Sequence, residues 1–243
     1  MAGQKQQLIL SVKCKNWRMN SQDSHKADTE FKTMRTKALK RDKQTCQFCG
    51  FKDKQWQEVH HLNDDHSDNR LSNLITICAF CHNCHHIGYA GVQKEAVLIW
   101  APEVTQQELH HIVRSCLVAK AWADKCLAKP GILQKVRLNA LKNNDSCQAL
   151  LSALRARTRD AEKWILTSDP TVLANMLLTL PHKDYQRRHE FLSGIRLLPL
   201  GYRAHEGGNL YEQRAKKWIE QGGVYSNLKP ETWSSLADGF LNS

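Results

Sequence analysis

Two Cys-x-x-Cys pairs, Cys46/Cys49 and Cys78/Cys81, are separated by 28 residues. Four thiolates at that spacing suit one closed tetrahedral zinc site with Zn–S bonds of roughly 2.3 Å. The second pair opens a ligand-dense stretch, Ala79 to His86 ("AFCHNCHH"), with two cysteines and three histidines in eight residues. The four thiolates complete the shell of one ion, which leaves His82, Cys84, His85 and His86 outside it. A structural zinc of this kind contributes roughly 10–16 kcal/mol in small modules, enough to order a segment with little core of its own. Gly50 follows Cys49 and supplies the permissive backbone that a knuckle turn needs.

The elements that must hold these ligands follow from patterning. "LILSVKCKNWRM" (8 to 19) has the partial alternation of a strand or hairpin arm, and the polar "NSQDSHKAD" after it reads as a loop. Phe31, Met34, Ala38 and Leu39 recur at helical spacing behind an Asp28/Thr29 cap, so a helix delivers the chain to Cys46. "QEVHH" and "LITI" are short strands flanking the polar "LNDDHSDNRLSN", and a short helix starts near Cys81. "AVLIW" is a further strand. Thr105 and Glu108 form a capping box for the longest helix, whose apolar face is Leu109, Ile112, Val113, Cys116 and Leu117 and which stops before Pro130-Gly131. Shorter helices are expected around 146 to 165, from Pro170, near 183 to 194, and over "NLYEQRAKKWIEQGG" up to Gly222-Gly223. The fold class expected is α+β: a small ββα zinc module with added strands over residues 1–104, then a mostly helical region over 105–243.

Composition narrows the function classes. A chain of 243 residues with 41% apolar content can bury a core without disulfides. Its nine cysteines therefore point to metal and packing in a reducing compartment rather than to a secreted disulfide framework. Cys14, Cys84, Cys116, Cys126 and Cys147 are read as small buried hydrophobes. No run of eighteen apolar residues occurs, and "MAGQKQQLILSVKCK" lacks the pattern of a secretory signal. The expectation is a cytoplasmic protein without membrane insertion. The net charge of +11 calls for an anionic partner, whether acidic protein, nucleic acid or anionic surface. The first 43 residues carry eleven Lys/Arg against four Asp/Glu, or +7 of that +11. Trp164, Trp218 and Trp233 lie among Arg and Lys in the C-terminal half. They are either core residues or anchors that clamp an acidic peptide. No helix-turn-helix or arrayed finger pattern occurs, so DNA contact would go mainly to phosphates.

"EVHHLNDDHSDNRLSNLITICAFCH" resembles the HNH, or ββα-metal, endonuclease motif, with a His pair closing a strand, Asn73 twelve residues later, and Cys-x-x-Cys-His opening a helix. The resemblance implies that His61 would be the general base, that Asn73 would orient it or brace the loop, and that His60 and His82 would hold a second divalent ion. Imidazole donors suit zinc, nickel or manganese better than magnesium. His60 stands where the motif more commonly has Asp, which removes one negative charge. Paired histidines can also serve only the turn, in a scaffold that carries out no chemistry. His66, His85 and His86 receive no role from the motif and are read as ordinary surface or supporting residues.

Over nearly the whole chain, "NWRM", "RDKQTCQFCGF" (41 to 51), "NRLSNLITICAFCHNC" (69 to 84), "LIWAPEVTQQEL" (98 to 109) and "IRLLP" (195 to 199) resemble the IcmJ/DotN family of type IVB (Dot/Icm-like) secretion systems. That resemblance implies a zinc-stabilised HNH-fold adaptor of a secretion or conjugation coupling complex, peripheral to the inner membrane through that complex. It would bind the coupling ATPase's C-terminal extension and small acidic chaperones. The retained His60, His61, Asn73 and His82 keep the alternative open: an active metal-dependent endonuclease that cleaves DNA.

Overall fold

The computed structural model describes residues 8–12 and 23–227, with side chains in the first helix from Thr29 on. Within those limits the chain divides into two units, Met1–Ala90 with Thr171–Ser193 and Gly91–Pro170 with Gly194–Ser243.

The first unit begins with α1 (Asp23–Arg41). This helix starts ahead of the expected Asp28/Thr29 cap and takes in most of the expected loop. No Gly or Pro lies between Asp23 and Thr29 to interrupt it. Its apolar stripe covers a two-stranded antiparallel sheet, β1 (Gln57–His61) against β2 (Leu74–Cys78), with Gln57 opposite Cys78 and His61 opposite Leu74. Ala38, Val59 and Leu74 are buried together there, with Phe31, Met34, Leu39 and Leu71 packed around them. Polar clasps fix the helix on the sheet. The Arg41 guanidinium donates to the carbonyls of Leu71 and Leu74, each at 2.7 Å, and the Asp42 carboxylate accepts the Thr76 amide at 2.9 Å. After β2 come α2 (Ala79–His85) and α3 (Ile87–Val92).

Residues 8–12 join no ladder, contrary to the strand expected there. The Ser11 amide donates to the Cys84 carbonyl at 2.8 Å, and the Ser11 carbonyl accepts from Ile87 at 3.2 Å, so this backbone is satisfied by the end of a helix instead of by a strand. Leu10 and Val12 are buried. Residues 13–19 of the same expected strand lie outside the described residues.

The second unit opens with β3 (Ala96–Trp100), then α4 (Gln106–Leu127), α5 (Gln134–Ala156) and α6 (Thr158–Ile165). Thr105 and Glu108 form the expected capping box on α4. One long helix and a separate short one replace the single helix expected around 146 to 165. The front half of α5 is rich in Lys and Asn and shows little apolar period, but it buries Ala140 and Asn143. The chain then returns to the first unit through α7 (Pro170–Leu178), which starts at the expected proline, α8 (His182–Gln186) and α9 (Arg188–Phe191). The last two replace one expected helix, because Arg187 between them leaves helical geometry (φ −91°, ψ 7°).

Back in the second unit, "IRLLP" is β4 (Ile195–Pro199), antiparallel to β3 with Trp100 opposite Ile195. The small pair β5 (Ala204–His205) and β6 (Gly208–Asn209) leads into α10 (Leu210–Trp218). The buried Gln106 side chain tethers α4 to β4: its amide donates to the Leu197 carbonyl at 2.7 Å and accepts the Leu197 amide at 2.9 Å. The described residues are α+β, as the sequence implies. No described helix is long and apolar enough to cross a membrane.

Gly194 sets the entry to β4. It has φ +84°, and a Cβ there would lie 2.4 Å from the Trp100 ring. Gly194→Ala is expected to cost on the order of 3 kcal/mol, from overpacking and the left-handed backbone together. A lowered urea midpoint at unchanged slope is the reading that checks it.

Candidate functional site

Each cysteine pair sits on a backbone turn fixed by its own hydrogen bonds. The Gly50 amide donates to the Cys46 carbonyl at 2.8 Å, the Cys46 amide donates to the Phe51 carbonyl at 2.8 Å, and Gly50 takes φ +76° to close the turn. The Gln47 amide donates to the Thr76 carbonyl at 2.9 Å, which ties this knuckle to β2. Cys78 ends β2 and caps α2, and Cys81 lies in the first turn of α2. The four cysteines are buried, and their sulfurs all lie within 4.8 Å of one another. A tetrahedral ion with bonds of about 2.3 Å places its sulfurs about 3.8 Å apart; Cys49 and Cys78 Sγ are 3.6 Å apart.

Burial and a bond with Cys49 push the Cys46 thiol up, but hydrogen bonds from Cys78 and Cys81 prevail and leave it below the ordinary thiol value. Cys78, through its bonds with Cys46 and Cys49, is held well above that value. Cys81 is too, through burial and its bonds with Cys46 and Cys49. The cluster thus resists losing its protons together, and a divalent cation is what makes four adjacent thiolates compatible. The geometry and donor set fit a metal ion.

A second cluster is built from β1 and α2. Alternation along β1 puts Val59 and His61 on the side of α1, and Glu58 and His60 on the other. His82 and His86 stand four residues apart along α2 and its C-cap, hence on one face. His60, His82 and His86 each offer a nitrogen within 4.8 Å of the other two. His86, which the motif left without a role, is therefore a member of the cluster. The Glu58 carboxylate meets His82 Nδ1 at 2.6 Å. Burial above all, then the neighbouring His85, His82, His86 and His61, pushes His60 down to about 2. It stays neutral at physiological pH and keeps a lone pair for a cation.

His61 faces the opposite side. Its ring stacks on Phe31 at 5.2 Å and on His66 at 4.9 Å, and its Nε2 lies 3.1 Å from Asn69 Oδ1. Asn73 bonds away from His61. Its side-chain oxygen accepts the Asn63 amide at 3.1 Å, and its NH2 donates to Asn63 Oδ1 and to the Asp68 carbonyl, both at 2.9 Å, so it braces the loop between the strands. Sequence reasoning missed Glu58, Asn69 and His86. Glu58-x-His60 and His82-x3-His86 carried the strand and helix periods that would have found two of them.

Around the cluster, Cys84 is buried with its thiol on the Phe80 carbonyl, and His85 packs on Phe48 and His60. Burial, then His82 and Arg188, lowers His85 to about 4. An unfolded histidine titrates near 6.5, so as pH falls below that value the unfolded chain takes up protons that folded His85 and His60 refuse. The stability at neutral pH is thus lost progressively toward pH 4 and below. From pH 7.5 to 5.5 the loss expected is about 1 kcal/mol for each histidine. Urea midpoints of protein that carries only its cysteine-bound zinc should show it, with a shallower pH dependence in His85→Gln.

Among the remaining candidates, Cys116 and Cys147 are buried and Cys126 is half-buried, while Cys14 lies outside the described residues. Trp218 is a core residue at 4% exposure. Trp164 is 65% exposed and stacks on Trp100 at 4.8 Å. Trp233 lies outside the described residues.

No family model matches the chain. Over 200 residues it is 30% identical to the Type 4 apparatus protein DotN of Legionella pneumophila subsp. pneumophila (strain Philadelphia 1), a match that covers 81% of this chain and 85% of that relative. With identity at that level across most of both proteins, and with the cysteine pairs folded into one cluster, the chain belongs to the IcmJ/DotN family.

Proposed function

We propose that this protein is a zinc-stabilised, HNH-like adaptor component of a type 4 secretion or conjugation apparatus, working in the cytoplasm and held at the inner membrane only through its complex. The observation that carries this reading is the similarity to DotN along most of both chains. Cys46, Cys49, Cys78 and Cys81 would hold the structural zinc, which organises a segment whose own apolar core is small. In this reading residues 1–104 carry the metal module and residues 105–243 the helical region that meets partners: the coupling ATPase's C-terminal extension and small acidic chaperones.

Two further observations suit a binding role. The chain carries +11, which favours acidic partners and speeds their encounter. Trp164 (65% exposed) and Leu166 (86% exposed, φ +61°) stand in the solvent near each other along the chain, and exposed aromatic anchors are frequent hot spots. The test is titration of the zinc-loaded protein with the purified C-terminal extension of the coupling ATPase. Saturable binding that weakens at least tenfold in Trp164→Ala supports the reading, and absence of binding at any salt concentration overturns it.

A second reading, a metal-dependent endonuclease, is favoured by one specific observation: the cluster of His60, His82 and His86, with His61 following His60 in sequence on the other face of β1. Those three imidazoles would hold zinc, nickel, manganese or magnesium, with magnesium least suited. A bound ion there would supply charge stabilisation to a phosphodiester. His61 would take a proton from water, held in orientation by Asn69, while Asn73 keeps the loop in place. Against it, His60 and His61 are each only 5% exposed, a burial that suits a scaffold better than a base that must meet DNA. Supercoiled plasmid incubated with each ion, beside a His61→Ala control, decides: nicking that vanishes in the control establishes the enzyme.

A further inference from the structure

We infer that Glu58 is the positioning residue of the three-histidine cluster, fixing His82 in one tautomer and so setting the affinity of that cluster for a divalent transition ion. The inference rests on the reading that His60, His82 and His86 take an ion.

The placement follows from two periods. Glu58 and His60 are two residues apart on β1 and share a face, opposite Ile77 and Ile75 of β2. His82 and His86 are one helical turn apart and face them. The strand thus contributes one imidazole and one carboxylate, and the helix contributes two imidazoles. The carboxylate does not stand among the three nitrogens that come within 4.8 Å of one another. It stands behind His82, with Oε2 2.6 Å from Nδ1.

At that distance a carboxylate accepts a proton held on Nδ1. Nε2 is then the nitrogen that carries the lone pair, and His82 can serve a metal only through it. This is the carboxylate–histidine arrangement by which a ligand is oriented and made more basic. Both partners are partly shielded, with 24% and 30% of their side chains exposed, so the bond is weakly screened. The charge is also significant. Three neutral imidazoles bring no negative charge to a dication, and Glu58 brings one without occupying a coordination position. His85, packed on His60, brings none, and the nearby Arg188 is itself a cation, so Glu58 is the group here that offsets positive charge.

The experiment uses the full chain with its cysteine-bound zinc retained. Zinc or nickel is titrated into the second site against a competing chelator, and cobalt binding is followed by its visible absorption. Glu58→Ala is expected to weaken the second site by roughly 10- to 100-fold, with the first zinc kept at one per chain. In Glu58→Gln the amide oxygen still accepts from Nδ1–H, and affinity should recover to within about tenfold of the wild type. Long-range 15N–1H spectra give a readout free of metal. His82 should show the Nδ1–H form in the wild type and in Glu58→Gln, and lose it in Glu58→Ala. If the wild type takes up only one ion, the reading of the cluster fails, and this inference with it. If it takes up two and Glu58→Ala binds the second as tightly as the wild type, with an unchanged His82 tautomer, the role of Glu58 alone is refuted.

Discussion

Cys81→Ser is expected to leave a protein with no bound zinc and no folded knuckle module. Cys81 is wholly buried, and its sulfur is one of four clustered at a single point that joins the turn at Cys46–Cys49, the end of β2 and the start of α2. The site's contribution, roughly 10–16 kcal/mol in comparable small modules, matches or exceeds the entire stability of an ordinary domain, about 5–15 kcal/mol. The apolar cluster of Ala38, Val59 and Leu74 is too small to compensate. Elemental analysis should return less than 0.1 zinc per chain, and limited proteolysis should cut between residues 42 and 86, as it should in wild-type protein stripped by a strong chelator. A serine variant that keeps one zinc and resists cleavage would mean that the sulfurs do not hold a metal.

The second large effect concerns stoichiometry. Wild-type protein dialysed with excess zinc is expected to hold two ions per chain, and His82→Ala only one, because the two imidazoles left, His60 and His86, retain a transition ion poorly. The lost ion should be the weaker one, with the cysteine site untouched. His61→Ala should keep both, since His61 lies on the α1 side of β1, on Phe31 and Asn69. The pair of variants therefore separates ion binding from proton transfer in any cleavage assay: His82→Ala removes the ion, and His61→Ala removes the base while leaving the ion. Two zinc ions retained in His82→Ala would remove the three-histidine site from consideration.

How much of this was legible in the sequence depends on whether the signal is local. Cys-x-x-Cys pairs, the Thr105/Glu108 capping box and the ββα order each lie within a few residues, and the geometry repeats them. The periods Glu58-x-His60 and His82-x3-His86 were just as local, but a motif that names only His60 and His82 draws attention away from their neighbours. Asn69, not Asn73, reaches His61 because the loop from Leu62 to Arg70 folds on itself through Asn63, Asp65 and Asp68. No spacing rule encodes such a loop. Pairing at long range was hidden altogether. β3 finds β4 across almost a hundred residues, and residues 8–12 find a helix end instead of a strand. The two readings of the tryptophans could not be told apart either, since burial of Trp218 and exposure of Trp164 depend on which face of each helix the rest of the chain covers.

The path of the chain has a consequence for biosynthesis. The backbone of residues 10–12 is held from late in the sequence: the Tyr185 hydroxyl donates to the Val12 carbonyl and accepts its amide, and Arg188 donates to Leu10 and Ser11. The cysteine site can load its ion once Cys81 leaves the ribosome, and Ser11 can pair with Cys84 and Ile87 soon after, but the bonds from Tyr185 and Arg188 wait until about a hundred further residues have been translated. For that interval the nascent polypeptide carries a metal knot whose residues 10–12 are held from one side only, and a holding chaperone or an early-bound partner would find its opening there.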